Sequence, residues 1–179
     1  MRATDDRYRN ERIRLELALR LIGHEARTGT IRHLTDLSDD RIRKLYASYF
    51  KHDSSPVRRR RGKSPSQITP LVRTRELRLE SSALVALMAS CGILDGERRP
   101  TRSAPHARLE LGQRLCQTHE TYLAMVSEPR LSFEALWNLY RNIVGGDELG
   151  SHRCHVCQSW YVYDALALAG DACPLCQHP

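Results

Sequence analysis

Four cysteines near the C-terminus are the residues whose type and spacing most clearly indicate chemistry. Cys154 and Cys157 form one C-x-x-C pair, Cys173 and Cys176 form a second, and fifteen residues lie between the pairs. This spacing is typical of a four-cysteine zinc site, in which each pair directs two thiolates at one tetrahedral ion. Because four thiolates leave no position open for water or substrate, the sequence predicts one structural Zn²⁺ per chain.

The segment between the two pairs, residues 158–172, is too short to bury much apolar surface. Metal binding is therefore expected to supply most of its folding free energy, on the order of 10 kcal/mol. The alternative is a redox pair or disulfides, but the βαβ pattern of a thioredoxin-like site is not seen nearby. Cys91 and Cys116 fit apolar helical patterns and are expected to be small buried hydrophobic residues. Three histidines are interpreted as bystanders: His152, His155 and His178.

The composition limits what can surround this site. A chain of 179 residues with 41% hydrophobic residues can hold one ordinary core and a small appendage, or two small domains. No apolar run approaches the length of a membrane span, and no signal-peptide pattern is visible. Together with free thiols in a metal-ligand pattern, these features predict a cytoplasmic protein that does not contact a membrane.

Apolar residues recur with helical periodicity over most of the chain, which predicts an all-α fold. We expect a multi-helix domain over residues 1–150 and a zinc-binding segment over residues 151–179. Ser38 and Ser132 are expected to cap helices, since their hydroxyls can accept from free backbone N–H groups. The expected helices cover residues 6–27, 30–34, 38–50, 69–94, 104–126 and 132–146.

Residues 28–50 have the order of a helix-turn-helix: a short helix, a tight turn and a capped second helix. Ile31, Leu34, Leu37, Ile42 and Leu45 lie at spacings that would close its small core. An ordinary helical hairpin is the alternative interpretation. In a DNA-binding unit, three cations of the second helix would contact base edges and phosphates: Arg41, Arg43 and Lys44.

The net positive charge of the chain comes from its first third. Residues 1–63 contain 17 Lys and Arg against 9 Asp and Glu, whereas the rest of the chain is nearly balanced. Residues 54–68 combine proline, glycine and adjacent like charges, which predicts a mobile basic loop. A solvated linker is the alternative, but beside a helix-turn-helix we favour DNA contact. The candidate residues of the loop are Arg58, Arg59, Arg60, Arg61 and Lys63.

Sequence motifs that support catalysis are missing. The sequence has no glycine-rich phosphate loop, no H-E-x-x-H and no carboxylate pair in a recognisable cleft. We therefore expect no enzymatic activity.

These features in this order resemble the FlhC family, the larger subunit of the bacterial flagellar master transcriptional activator. The resemblance is strongest over residues 21–46 and residues 154–176. It implies a mostly α-helical fold and zinc bound by four cysteines that match Cys154, Cys157, Cys173 and Cys176. It also implies a hetero-oligomer with the small helical subunit FlhD, which binds double-stranded DNA upstream of flagellar operons and recruits RNA polymerase. Flagellum biogenesis would be the regulated process.

Two other functions fit the same charge and cysteines. One is a zinc-containing RNA-binding or ribosome-associated protein, although aromatic residues for base stacking make up only 6% of the chain. The other is an enzyme that uses the cysteines as a redox pair, which bound zinc resistant to mild oxidants would argue against.

Overall fold

The computed structural model describes residues 3–51, 57–94, 107–146, 148–167 and 172–176. These residues form seven helices and one two-stranded antiparallel sheet, so the chain is mostly α-helical, as the sequence predicts. The chain divides into two compact units, and its C-terminal residues belong to the second of them. The domain boundary expected at residue 150 stays a prediction.

Unit 1 comprises Met1–Ser64 and Arg102–Cys116. Its helices are α1 (Ala3–Gly23), α2 (Thr28–Thr35), α3 (Asp39–Tyr49) and the first part of α6 (Ala107–Met125). The first three helices contact one another. Each places an apolar stripe in the interior, since the side chains at helical spacing are buried: Leu17, Leu21, Ile31, Leu34 and Ile42.

Helix α1 ends before the sequence predicts, at a residue in the left-handed conformation. Glu25 has a φ of 56°, where glycine is the usual residue. Its N–H donates to the carbonyl of Ile22 at 2.9 Å, and the N–H of Ala26 donates to the carbonyl of Leu21 at 3.0 Å. This pair of bonds is a Schellman motif, which satisfies the last carbonyls of a helix. The apolar periodicity continues to Ala26 and so hides this end in the sequence.

Unit 2 comprises Pro65–Thr101 and Gln117–Pro179. It contains α4 (Thr69–Val72), α5 (Arg75–Ser90), the rest of α6, α7 (Phe133–Gly145), β1 (Leu149–Arg153) and β2 (Trp160–Asp164). The two strands pair antiparallel, with Gly150 opposite Tyr163. Helix α5 contacts α4, α7 and β2, and α7 also contacts β1. The sheet therefore packs on helices that precede it in the chain.

The single helix expected over residues 69–94 is two helices in the structure. Thr74 adopts an extended backbone and its hydroxyl accepts from the N–H of Leu77 at 3.3 Å, which starts α5. Gly92, with a φ of 67°, follows the end of α5, as its position in the sequence suggests. The two serine caps are also as predicted, since Ser38 accepts from Arg41 N–H and Ser132 from Ala135 N–H.

One carboxylate is buried in unit 2 with a full set of hydrogen bonds. Glu80 is 8% exposed and accepts from the hydroxyl of Tyr122. It also accepts from Arg130, at 2.9 Å from the backbone N–H and 3.0 Å from the guanidinium. Burial and the hydrogen bond with Glu80 raise the pKa of Tyr122 to about 12. The network joins α5 to α6 and to the segment that precedes α7.

In the parts of the chain that the structure describes, no helix combines the length and the apolar character needed to cross a membrane.

Candidate metal centre and nucleic-acid interface

The four predicted cysteine ligands lie together in unit 2. The Sγ atoms of Cys154 and Cys176 are 3.5 Å apart, those of Cys157 and Cys173 are 3.7 Å apart, and all four lie within 4.8 Å of one another. None of the four forms a disulfide. A tetrahedral zinc centre with bonds of about 2.3 Å has sulfurs about 3.8 Å apart along each edge. The cluster therefore fits a metal ion and could hold one.

The first knuckle is built by backbone hydrogen bonds around Cys154. The N–H of Gln158 donates to the carbonyl of Cys154 at 2.9 Å, and Cys154 N–H donates to the carbonyl of Ser159 at 2.9 Å. The N–H of Val156 points at Cys154 Sγ at 3.4 Å. Gln158 closes the turn with a φ of 57°. The chain thus turns N–H groups toward sulfur, an arrangement that favours thiolate over thiol.

Backbone N–H groups of this knuckle also lower the pKa values of its two thiols, in the direction that metal binding requires. The hydrogen bond from the Ser159 N–H is the main cause that lowers the pKa of Cys157 to about 6. The hydrogen bond from the Cys157 N–H is the main cause that lowers the pKa of Cys154. A metal binds the thiolate form of cysteine. Because a lowered pKa leaves more of each thiol deprotonated at neutral pH, metal binding displaces fewer protons and is more favourable.

Aromatic residues of the hairpin cover one side of the cysteine cluster. Tyr161, Cys154 and Cys173 are buried together, and Tyr163 packs against them. Gly150 lies directly across from Tyr163, and a Cβ at this position would lie 2.1 Å from the Tyr163 ring. The close approach of the ring therefore requires glycine, as in other strand pairs where an aromatic ring covers a glycine.

The histidines near the cysteines have other surroundings. His152 contacts the hydroxyl of Tyr161 through Nε2, and its ring lies edge-on to that tyrosine at a centroid distance of 4.6 Å. His155 is exposed at the knuckle. Neither belongs to the four-residue cluster. The bystander interpretation of His178 falls outside the described residues.

Two arginines of α5 hold the cysteine segment, a role that the sequence analysis did not predict. Arg75 donates to the carbonyl of Pro174 at 3.1 Å, and Arg78 donates to the carbonyl of Ala172 at 2.7 Å. These carbonyls flank Cys173 on both sides. The arginines lie three positions apart in α5, a spacing that indicates that they share one face of the helix.

Strand β2 is fixed to the same face of α5. Arg78 donates to the carbonyl of Val162 at 3.4 Å, and the N–H of Val162 donates to the hydroxyl of Ser82 at 3.1 Å. Both polar groups of this buried residue are thereby satisfied by α5. The second knuckle and the strand before it are thus aligned by one helix.

The segment predicted to be a helix-turn-helix folds into α2 and α3 of unit 1, which are joined by a tight turn. Asp36 ends α2 in the left-handed conformation, with a φ of 60°, and its N–H donates to the carbonyl of Arg32 at 2.8 Å. Leu37 is buried after it and Ser38 begins α3. The residues expected to close the core of this motif are all buried except Leu45, which is half-buried. Aspartate thus occupies the turn position for which glycine is usual.

The three candidate cations of α3 are exposed, and each has a carboxylate partner. Arg41 pairs with Glu11 of α1. Arg43 and Lys44 both pair with Asp40, Lys44 at 3.1 Å. Hydrogen bonding and the charge of Lys44 are the main causes that lower the pKa of Asp40. Exposed ion pairs contribute little to stability, so these cations can exchange a carboxylate for a phosphate at small cost.

The described part of the basic loop, residues 57–68, has no helix or strand, and its residues 57–64 lie against the corner between α1 and α2. Arg58 N–H donates to Glu25 at 3.1 Å, and Arg60 forms an ion pair with the same carboxylate at 2.8 Å. The hydroxyls of Thr30 and Ser64 are hydrogen-bonded at 2.8 Å. The mobility expected for this loop stays a prediction, as do its contacts with DNA.

The start of the same loop is joined to α3. The hydroxyl of Tyr46 donates to the carbonyl of Val57 at 2.8 Å. The cations of α3 and those of the loop therefore belong to one compact unit and are connected through Tyr46.

A comparison of this chain with protein families and with curated proteins found no match in either.

Proposed function

We propose that this chain is a DNA-binding subunit of a hetero-oligomeric transcription activator of flagellar operons, acting with an FlhD-type subunit. The observation that carries the proposal is the geometry of α2 and α3, a tight turn and a Ser38-capped helix that exposes three cations. A second helix of this kind enters the major groove with its first residues on base edges. The resemblance to the FlhC family supplies the partner, the operons and the recruitment of RNA polymerase.

In this mechanism the two groups of cations have different tasks. Arg41, Arg43 and Lys44 lie in the first half of α3, the part of a recognition helix that reaches the bases. The loop cations contact phosphates, which sets the position of the protein on DNA without reading its sequence. In a symmetric hetero-oligomer, two copies of this surface would fix the distance between two half-sites.

We propose that the metal is Zn²⁺ and that its role is structural. Support comes from the four sulfurs, since soft thiolate ligands in a tetrahedral arrangement favour zinc, and no coordination position is left for a substrate. The bound ion would hold the two knuckles together, while Arg75 and Arg78 align them on α5. Thiolate ligands require a reducing compartment, which supports a cytoplasmic location as part of this proposal.

Binding of labelled duplex DNA, with the FlhD-type partner present, tests the proposal. Arg41→Ala is expected to weaken binding of an operator duplex about tenfold, because alanine cannot hydrogen-bond a base edge. Lys44→Ala is expected to reduce the slope of log affinity against log salt by about one, because one phosphate is no longer neutralised. Fluorescence anisotropy at several salt concentrations measures both.

Arg114→Ala is the charge-matched control, because it removes one half-buried arginine of unit 1 outside α3 and the loop. If this variant weakens binding as much as Arg41→Ala, the effect is due to net charge and α3 does not read the bases. If single-stranded RNA binds as tightly as the duplex, the RNA-binding function replaces the one proposed.

A further inference from the structure

Glu25 has an unfavourable backbone conformation, and its carboxylate lies in a basic surface. Its φ of 56°, just after the C-terminal end of α1, lies in the left-handed region. Glycine adopts this conformation without steric strain, whereas other residues rarely do. Strained positions of this kind persist where the surrounding structure holds them, and they are frequent at functional sites. The role of the side chain therefore needs an explanation beyond the end of the helix.

The side chain of Glu25 makes two hydrogen bonds and an ion pair to the basic loop. Its Oε1 accepts from the backbone N–H of Arg58 at 3.1 Å, and its Oε2 accepts from Nε of Arg60 at 3.0 Å and lies 2.8 Å from Nη2 in the ion pair. Desolvation alone would raise the pKa of Glu25, but these bonds and the charge of Arg60 lower it. One carboxylate thus fixes both the backbone and a side chain of the loop.

A second contact holds the loop from the other side of the same corner. The guanidinium of Arg27 donates to the carbonyl of Arg61, and it lies 3.3 Å from the position a Cβ would take at Gly62. With a φ of 90°, Gly62 allows the chain to turn at this point. The two contacts bracket the arginine run, so its backbone has one defined path.

This path divides the loop cations into two groups. Arg60 is neutralised by Glu25, whereas in the described part of the chain the side chains of the other four loop cations form no ion pair: Arg58, Arg59, Arg61 and Lys63. Of these, Arg59 also has a buried Nε atom without a hydrogen-bond partner among the described residues. These four side chains are therefore the loop cations with unused capacity for an anion.

We propose that Glu25 is a positioning residue for DNA: it holds the arginine loop so that the loop cations without an ion pair meet the phosphate backbone. This inference rests on the DNA-binding function proposed above. It reverses the usual expectation for an acidic residue in a nucleic-acid interface. Removal of a negative charge should strengthen DNA binding by simple electrostatics, whereas removal of Glu25 should weaken it.

Glu25→Gly tests the proposal without harming the fold. Glycine relieves the left-handed backbone, so the melting temperature should stay the same or rise. Duplex affinity should nevertheless fall about tenfold, and the salt slope should become shallower by one to two, since each phosphate that is no longer neutralised reduces it by about 0.9. A variant that merely damaged the structure would be less stable as well.

Asp36→Gly is the matched control, since Asp36 is also an acidic residue of unit 1 with a φ near 60°. Its carboxylate lies 3.8 Å from Arg14 and makes no hydrogen bond to the loop in the described residues. This variant should gain stability in the same way and leave the structure of the loop unchanged. Because Asp36 lies in the turn before α3, it is the control for stability and for loop cleavage, and not for DNA affinity. Both variants relieve a left-handed backbone, but only Glu25→Gly removes a contact with the loop.

Limited trypsin digestion at Arg58, Arg60 and Arg61 provides a readout that does not need DNA. Glu25→Gly should be cut in the loop several times faster than wild type or Asp36→Gly, and Glu25→Gln should lie between them. Equal cleavage rates would show that the loop is not held by Glu25 and would overturn the proposal. So would a Glu25→Gly variant that binds DNA as tightly as the wild type.

A wild-type protein that binds no DNA would refute the proposed function itself, while the cleavage rates would still report on the loop contact.

Discussion

Replacing Cys173 by serine is expected to abolish metal binding and to unfold the hairpin and both knuckles. Cys173 is 1% exposed and lies between the two carbonyls that Arg75 and Arg78 bind. A hydroxyl does not replace a thiolate ligand, and three thiolates hold the ion much less tightly. The binding free energy that the variant forgoes is on the order of 10 kcal/mol, more than the hydrogen bonds from α5 can offset.

Metal analysis and hydrogen exchange measure this result. Metal content should fall from one ion per chain to nearly none, and the amides of β2 should become unprotected, as they should when a chelator is added to the wild type. Cys91→Ala is the control, because Cys91 lies outside the cluster and the variant should keep its metal. A Cys173→Ser protein that retains a protected hairpin would show that the aromatic packing and α5 suffice without metal.

Replacing Glu80 by alanine should cause the largest decrease in stability among the changes away from the cysteines. The change strands two donors, the hydroxyl of Tyr122 and the backbone N–H of Arg130. Tyr122 is fully buried, and each unsatisfied buried group costs about 1–3 kcal/mol, which gives roughly 2–6 kcal/mol in total. The ion pair with Arg130 adds little, because that side chain is half exposed.

Urea denaturation measures the change in the free energy of unfolding. Glu128→Ala, which removes an exposed carboxylate of the same unit, should change it by less than about 0.5 kcal/mol. Tyr122→Phe should cost less than Glu80→Ala, because Glu80 keeps both bonds from Arg130. A Glu80→Ala protein as stable as the Glu128→Ala protein would mean that water satisfies both donors and that the network contributes nothing.

Features with a short-range cause were predictable from the sequence. The cysteine cluster follows from the spacing within and between the pairs, and the structure places all four sulfurs together. The caps at Ser38 and Ser132 follow from hydroxyls placed before apolar helical patterns. The helix ends at Gly92 and Gly146 follow from the freedom of glycine to adopt positive φ.

Features that depend on tertiary contacts were not predictable in the same way. Strand β1 contains glycine, serine and histidine, so its sequence has little strand preference, and it exists because Tyr163 covers Gly150. The end of α1 depends on Glu25 in a conformation that its residue type does not favour. The arginines of α5 gain their role only because the C-terminal segment folds onto that helix.

The candidate DNA interface was predicted by residue type, but the structure distinguishes among its members. Residue type groups five loop cations as DNA contacts, and the structure shows Arg60 paired with Glu25. Each of the three cations of α3 already has a carboxylate partner. The pairs of Asp40 with Arg43 and Lys44 follow from their spacing within one helix. The pair of Arg41 with Glu11 joins two helices, which spacing in the sequence does not report.

A DNase footprint upstream of flagellar operons tests the central claim most directly. Zinc-loaded protein is incubated with the DNA at near-physiological salt, with and without the FlhD-type partner, and compared with the Arg41→Ala variant. We predict a discrete protected region that requires the partner and is weakened by Arg41→Ala. The absence of protection in every condition, together with binding to any nucleic acid that disappears as salt rises, would contradict the proposed function.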